Sequence, residues 1–165
     1  MNKSVFTYAK VRDVKSPTRG TCGSAGLDFF VPNNFTQKVI NPDEDILIPS
    51  GIKANIPEGY MLLGIDKSGI ASSDLAKSLI GVAPYTNKPS LIIGAKLVDE
   101  DYQGEIHIHI INVGSTPYTI KPGTKIAQFV LIPVLYAEPI EVAEEALYDQ
   151  VTDRGNGGFG STGIK

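Results

Sequence analysis

Glu105-Ile106-His107-Ile108-His109-Ile110 places isoleucine at every second position. Side chains of a strand alternate between two faces, so this segment reads as a strand with one buried aliphatic face and one polar face. A slip of one residue would send every isoleucine to solvent, which fixes its pairing register. The rest of the chain has the same grain. Short apolar runs cover Val5 to Val11, Leu27 to Val31, Val39–Ile40, Ile46 to Ile56, Tyr60 to Ile65 and Ser90 to Val98. Others cover Ile106 to Val113, Tyr118–Ile120, Lys125 to Val134 and Leu135 to Val142, and most are bounded by Gly, Pro, Asn or Asp. That rhythm belongs to an all-β sandwich or barrel, not to alternating helices and strands. Helical signal is confined to a stretch capped by Ser72 or Ser73 and running to Leu79, and to an acidic turn and a half over Ala143 to Gln150. At 165 residues the chain is expected to build one such domain.

Composition removes several classes of function. The formal charge is −3, so no global field steers the chain toward nucleic acid or anionic lipid, and cations that bind a polyanion must be local. Cys22 is the only cysteine, which excludes an internal disulfide framework and a multi-cysteine zinc site. No stretch approaches the ~20 apolar residues of a membrane-spanning helix, and MNKSVFTYAKVRD lacks the apolar core of a signal peptide. The expected partners therefore include neither nucleic acid nor membrane, and the expected location is the cytoplasm.

Several segments carry groups suited to chemistry. From Asp153 the chain reads DRGNGGFGSTGIK, too glycine-rich to order alone, and so either a frayed tail or a flap that orders over something. Gly155 to Gly160 formally match GxGxxG, yet too few residues follow for the helix that a dinucleotide site needs. Arg154 offers a bidentate fork for phosphate, Ser161 and Thr162 offer donors, and Phe159 offers a flat face for a base. The stretch from Gly94 to Glu105 joins two strands through Asp99, Glu100 and Asp101, either a solvated acidic turn or the seat of a general base. His107 and His109 share a strand face, as a metal-binding pair or as the polar side of an amphipathic strand. Lys67-Ser68-Gly69 ends a strand in a turn that suits close approach of a phosphate chain.

Taken in order, SAGLD (24–28), KSG (67–69), LVDEDYQGE (97–105), GTKIAQ (123–128) and RGNGGFGSTG (154–163) resemble the five motifs of the trimeric deoxyuridine triphosphatases. The resemblance spans nearly the whole chain. It implies a jelly-roll-like β-barrel over residues 1–152 and a flexible C-terminal flap, 153–165, that completes a neighbouring subunit's site in a homotrimer with shared active sites. It further implies Mg²⁺-assisted hydrolysis of dUTP to dUMP and pyrophosphate, which lowers dUTP and supplies dUMP for thymidylate synthesis.

By position, Asp99 matches the carboxylate that activates the attacking water, and Tyr102 the ring beneath the deoxyribose that would clash with a 2′-hydroxyl. The backbone from Leu97 through Val98 to Asp99 matches the uracil-reading edge, excluding cytosine by donor–acceptor mismatch. Lys67, Ser68 and Gly69 match the phosphate turn, Gln128 a phosphate and water contact, and Asp28 a carboxylate that reaches the metal through water. Arg154 matches the γ-phosphate clamp, Phe159 the cover over uracil, and Gly160, Ser161 and Thr162 donors to phosphate oxygens.

This chain departs from the family pattern in three places. Lys67 stands where the family usually has Arg, Lys96 where it has Gly, and the 31 positions from Ser68 to Asp99 exceed the usual interval. Two alternative readings share the barrel. A dCTP deaminase would carry a catalytic Glu three residues before Asn112, where this chain has His109. A nucleotide-sensing or partner-binding module would bind dUTP as a switch without useful turnover.

Overall fold

A computed structural model describes residues 6–67 and 89–157, and the expected helix from Ser72 or Ser73 to Leu79 lies outside them. The chain divides into two units, Met1–Leu135 and Tyr136–Lys165.

The first unit is antiparallel β throughout its described strands. These are β1 (Thr7–Lys10), β2 (Leu27–Phe30), β3 (Lys38–Ile40), β4 (Asp45–Pro49), β5 (Ile52–Asn55) and β6 (Tyr60–Ile65). They continue as β7 (Leu91–Ile93), β8 (Leu97–Val98), β9 (His107–Asn112), β10 (Tyr118–Ile120) and β11 (Lys125–Pro133). Two ribbons, β1–β5 and β10–β3, accompany a four-stranded sheet in the order β2-β11-β6-β8 and a three-stranded sheet in the order β4-β9-β7. The fold is thus nearly all β, as expected, although the sheets do not join into one closed barrel among the described residues.

The isoleucine alternation does what its period dictates. Ile106, Ile108 and Ile110 are at most 1% exposed, while His107 faces solvent. Opposite them the core gathers Phe29, Ile48, Ile52, Leu62, Ile120 and Phe129, with the two phenylalanine rings 4.6 Å apart and tilted by 51°. Each such side chain contributes about 1.5–3 kcal/mol by leaving water. The run from Ile46 to Ile56 is two strands, because Gly51 turns the chain with φ +74°, a conformation that side chains disfavour. The run from Ser90 to Val98 is also two strands. Its first half pairs with β9 and its second with β6, so residues 94–96 carry the chain from the three-stranded sheet to the four-stranded one.

The chain from Leu135 onward corrects the sequence reading. No strand forms over 135–142: Pro139 lacks the N–H that a ladder needs, and Leu135 and Ile140 stand 92% and 75% exposed. The helical signal over Ala143 to Gln150 shrinks to one 3-10 turn, Glu144–Ala146, with no side-chain cap. No helix among the described residues is long and apolar enough to cross a membrane.

Candidate functional site

The four-stranded sheet collects most of the singled-out residues. Asp28 lies on β2, Gln128 on β11, Lys67 just past β6, and Leu97 and Val98 form β8 with Asp99 immediately after. Asp28 and Gln128, a hundred residues apart, face each other across the β2–β11 ladder, and Gln128 Nε2 donates to Asp28 Oδ1 at 3.0 Å. Lys125 Nζ sits 2.7 Å from the other oxygen, Oδ2.

That double contact depends on a bulge. Lys125 and Gln128 are three positions apart and would point to opposite faces of a regular strand. The β11 ladder shifts register between Lys125 and Ala127, so Lys125 opposes Phe30 and Gln128 opposes Asp28. The extra residue, Ile126, therefore turns both polar side chains toward one carboxylate. Asp28 is only 2% exposed. Burial alone would push its carboxyl up. Hydrogen bonds from Lys125 and Gln128, with the positive charges of Lys125 and Lys67, outweigh that and hold it below the ordinary carboxylate value. The charge of Lys67 thus reaches this cluster.

The acidic hairpin is differentiated. Glu100 Oε2 accepts the Gly59 N–H at 2.5 Å, which ties that carboxylate to the turn before β6. Asp101 is exposed, and so is Asp99, whose carboxylate has no hydrogen-bond or ion-pair partner among the described residues. The Asp99 carbonyl accepts Tyr102 N–H at 3.3 Å, closing the turn. Tyr102 in turn donates its hydroxyl to the Glu105 carbonyl at 2.9 Å, which pins the ring. Behind it, Glu105 takes Arg12 Nε at 2.7 Å and Nη2 at 3.0 Å, and Glu105 Oε1 also accepts Gly51 N–H at 2.7 Å. Burial raises the Glu105 carboxyl, but Arg12, the Gly51 amide and the charge of His107 together bring it below its ordinary value. A groove of about 400 Å³ separates Tyr102 and Glu100 from Tyr8, Lys53 and Asn55 on the β1–β5 ribbon.

His107 and His109 do not meet on a common ligand. His107 Nδ1 lies 2.9 Å from the Glu105 carbonyl, whereas His109 Nε2 lies 2.7 Å from Asp45 Oδ2. Lys96, the departure at the hairpin mouth, places Nζ 3.4 Å from Asp66 Oδ2.

In the second unit Arg154 is exposed and its Nε donates to the Gly157 carbonyl at 2.8 Å, within turns closed by Gly155 N–H to Thr152 O and Gly157 N–H to Arg154 O, each 2.9 Å. Ser68, Gly69, Phe159, Gly160, Ser161 and Thr162 lie outside the described residues. Sequence reasoning missed Lys125 as the buried carboxylate's counter-ion and Arg12 as the hairpin's anchor. Strand alternation had no means of revealing the first, because a bulge breaks the alternation, and the second spans 93 positions.

A family model described as dUTPase matches residues 12–163. The deoxyuridine 5′-triphosphate nucleotidohydrolase of Hydrogenobaculum sp. (strain Y04AAS1) is 37% identical over 153 residues, 93% of each chain. A mutant dUTPase of Staphylococcus bacteriophage 80alpha, solved with dUpNHpp, superposes with a TM-score of 0.75 at 24% identity, over 98% of this chain and all of that one. A mutant dUTPase from phage phi11 of S. aureus, described for the coordination of a structural Mg(II) ion, gives a TM-score of 0.67 at 23% identity over 86% of this chain and 98% of that one.

Proposed function

The chain belongs to the dUTPase family, and on that premise we propose that it hydrolyses dUTP to dUMP and pyrophosphate. The observation that carries the reading is the convergence of four family motifs on one sheet, with the Asp99 carboxylate exposed just after β8 and without a partner among the described residues. Of the three hairpin acids, Glu100 is already bound to the Gly59 amide. Asp99 and Asp101 are both exposed and have no side-chain partner among the described residues, and it is Asp99, immediately after the base-reading strand β8, that takes a proton from water while the new P–O bond forms and the α–β anhydride breaks, releasing pyrophosphate.

Specificity is assigned to the same hairpin. The backbone of Leu97 to Asp99 reads the uracil edge, where a cytosine would leave donors and acceptors unpaired. Tyr102, held by its bond to the Glu105 carbonyl, lies under the deoxyribose and excludes a 2′-hydroxyl. Lys67, Ser68, Gly69 and Gln128 bind phosphate oxygens. Arg154 clamps the γ-phosphate, Phe159 covers the base, and Gly160, Ser161 and Thr162 donate to the phosphates as the flap closes and excludes bulk water. Residues 153–165 act on a neighbouring subunit's site in a homotrimer, and residues 1–152 form the barrel. The enzyme works in the cytoplasm and supplies dUMP for thymidylate synthesis.

The residues present fit a Mg²⁺ ion held through water. No group of three His, Cys, Asp or Glu among the described residues could cage a metal. Asp28 is ionised, but its oxygens already face Lys125 and Gln128. This suits an ion that keeps its waters and rides on substrate phosphates, with Asp28 reaching it through water. Bound there, Mg²⁺ would offset triphosphate charge.

A product assay tests the reading: pyrophosphate released from dUTP but not from UTP, dTTP or dCTP. Ammonia from dCTP, or tight dUTP binding without turnover, would sink it.

A further inference from the structure

Besides the Gly64 N–H that donates to the Lys96 carbonyl at 2.6 Å, two clamps hold the crossover at residues 94–96, just before the proposed base-reading edge. From the end of β6, Asp66 Oδ1 accepts Ile93 N–H at 2.7 Å, and Oδ2 lies 3.4 Å from Lys96 Nζ. From the middle of β9, the His109 carbonyl accepts Gly94 N–H at 2.9 Å and its ring Nδ1 accepts Ala95 N–H at 3.3 Å. The ring lies against Gly94 so closely that a Cβ there would come within 2.7 Å of Cε1, and nearer still to Nδ1. Only glycine leaves room for it. With Nδ1 accepting, the ring proton sits on Nε2 and is donated to Asp45 Oδ2 at 2.7 Å.

We propose that His109, oriented by Asp45, is a positioning residue for base recognition. It fixes the crossover between the two sheets and so sets where the backbone of Leu97 to Asp99 presents its donors and acceptors. The inference rests on the proposed reading of that backbone as the uracil edge. Recognition by main-chain groups tolerates little displacement, since no side chain can swing to compensate. Lys96, at this mouth, has its Nζ 3.4 Å from Asp66 Oδ2, while Ala95 beside it donates to the His109 ring at 3.3 Å.

The full-length protein is assayed as His109→Phe, which fills the ring's space without either bond, and as His109→Gln, which keeps one acceptor and one donor. Loss of the Ala95 bond is expected to raise KM for dUTP about fivefold in His109→Phe. The preference for dUTP over dCTP narrows, kcat stays within about twofold of wild type, and His109→Gln restores both values. The Ala95 amide also exchanges faster in His109→Phe. Asp45→Asn, at an exposed position, shifts KM in the same direction and carries the test if His109→Phe does not fold. A lowered Tm with unchanged KM and base preference overturns the proposal, as does an Ala95 amide exchanging at the wild-type rate. Failure of the unsubstituted protein to turn over dUTP removes the hydrolase reading and this inference with it, an outcome distinct from both.

Discussion

The hydroxyl of Tyr102 occupies the space that a Cβ on Gly104 would need: such an atom would fall within 2.9 Å of Cε2 and closer to the hydroxyl end of the ring. Gly104 is therefore what lets the tyrosine fold back and donate to the Glu105 carbonyl. Gly104→Ala is expected to push the ring out of place, lowering kcat/KM for dUTP on the order of 10–100-fold. Discrimination against UTP falls with it. Paired kinetics on dUTP and UTP check this, and an alanine variant with wild-type sugar preference would separate Tyr102 from the filter.

Acid sensitivity follows from Glu105. Its folded-state carboxyl lies below its ordinary value, so the stabilisation is complete above the unfolded-state value of about 4.3. It is lost as pH falls through the depressed folded value. Glu105→Gln should lose about 1–2 kcal/mol at neutral pH, and its urea midpoint should fall less steeply than wild type's below about pH 4.5. Parallel curves for the two proteins would show that the Arg12 contact is not linked to stability.

Asp28 makes a sharper case because it is nearly buried. Asp28→Ala leaves Gln128 without its partner and Lys125 without its counter-ion, and should cost about 2–3 kcal/mol in denaturant unfolding. Asp28→Asn keeps a polar group opposite Gln128 and should cost less. Equal losses in the two variants would mean that packing, not the polar cluster, is what Asp28 provides.

These relationships show which features the linear order of residues conveys. The buried isoleucine face of β9 was legible because a period of two needs only one strand to be seen. The sheet that unites Asp28, Lys67, Asp99 and Gln128 was legible only as an ordered set of motifs. The bulge at Ile126 hid Lys125, since alternation assigns it to the wrong face. Glu100's bond to Gly59 and Asp66's bond to Ile93 join positions 41 and 27 apart, and no local pattern encodes such distances. Apolar content over Leu135 to Val142 misled for the opposite reason: it carried strand propensity with Pro139 in its middle and no ladder to join.

Removing the flap should separate folding from turnover. A chain ending at Asp153 lacks Arg154, Phe159, Ser161 and Thr162 but keeps every strand of the first unit. Its thermal unfolding and its mass by light scattering should show the same assembly as the undeleted chain, while dUTP hydrolysis falls by on the order of 10²-fold or more. Undiminished turnover would remove the flap from the mechanism.

The most direct test replaces Asp99, the exposed acid immediately after β8, by asparagine. Pyrophosphate release from dUTP is measured beside the affinity for a non-hydrolysable dUTP analogue in Mg²⁺. Loss of turnover by on the order of 10³-fold, with analogue affinity little changed, is the predicted result. Turnover near wild type in Asp99→Asn would contradict the assignment of the general base and, with it, the mechanism.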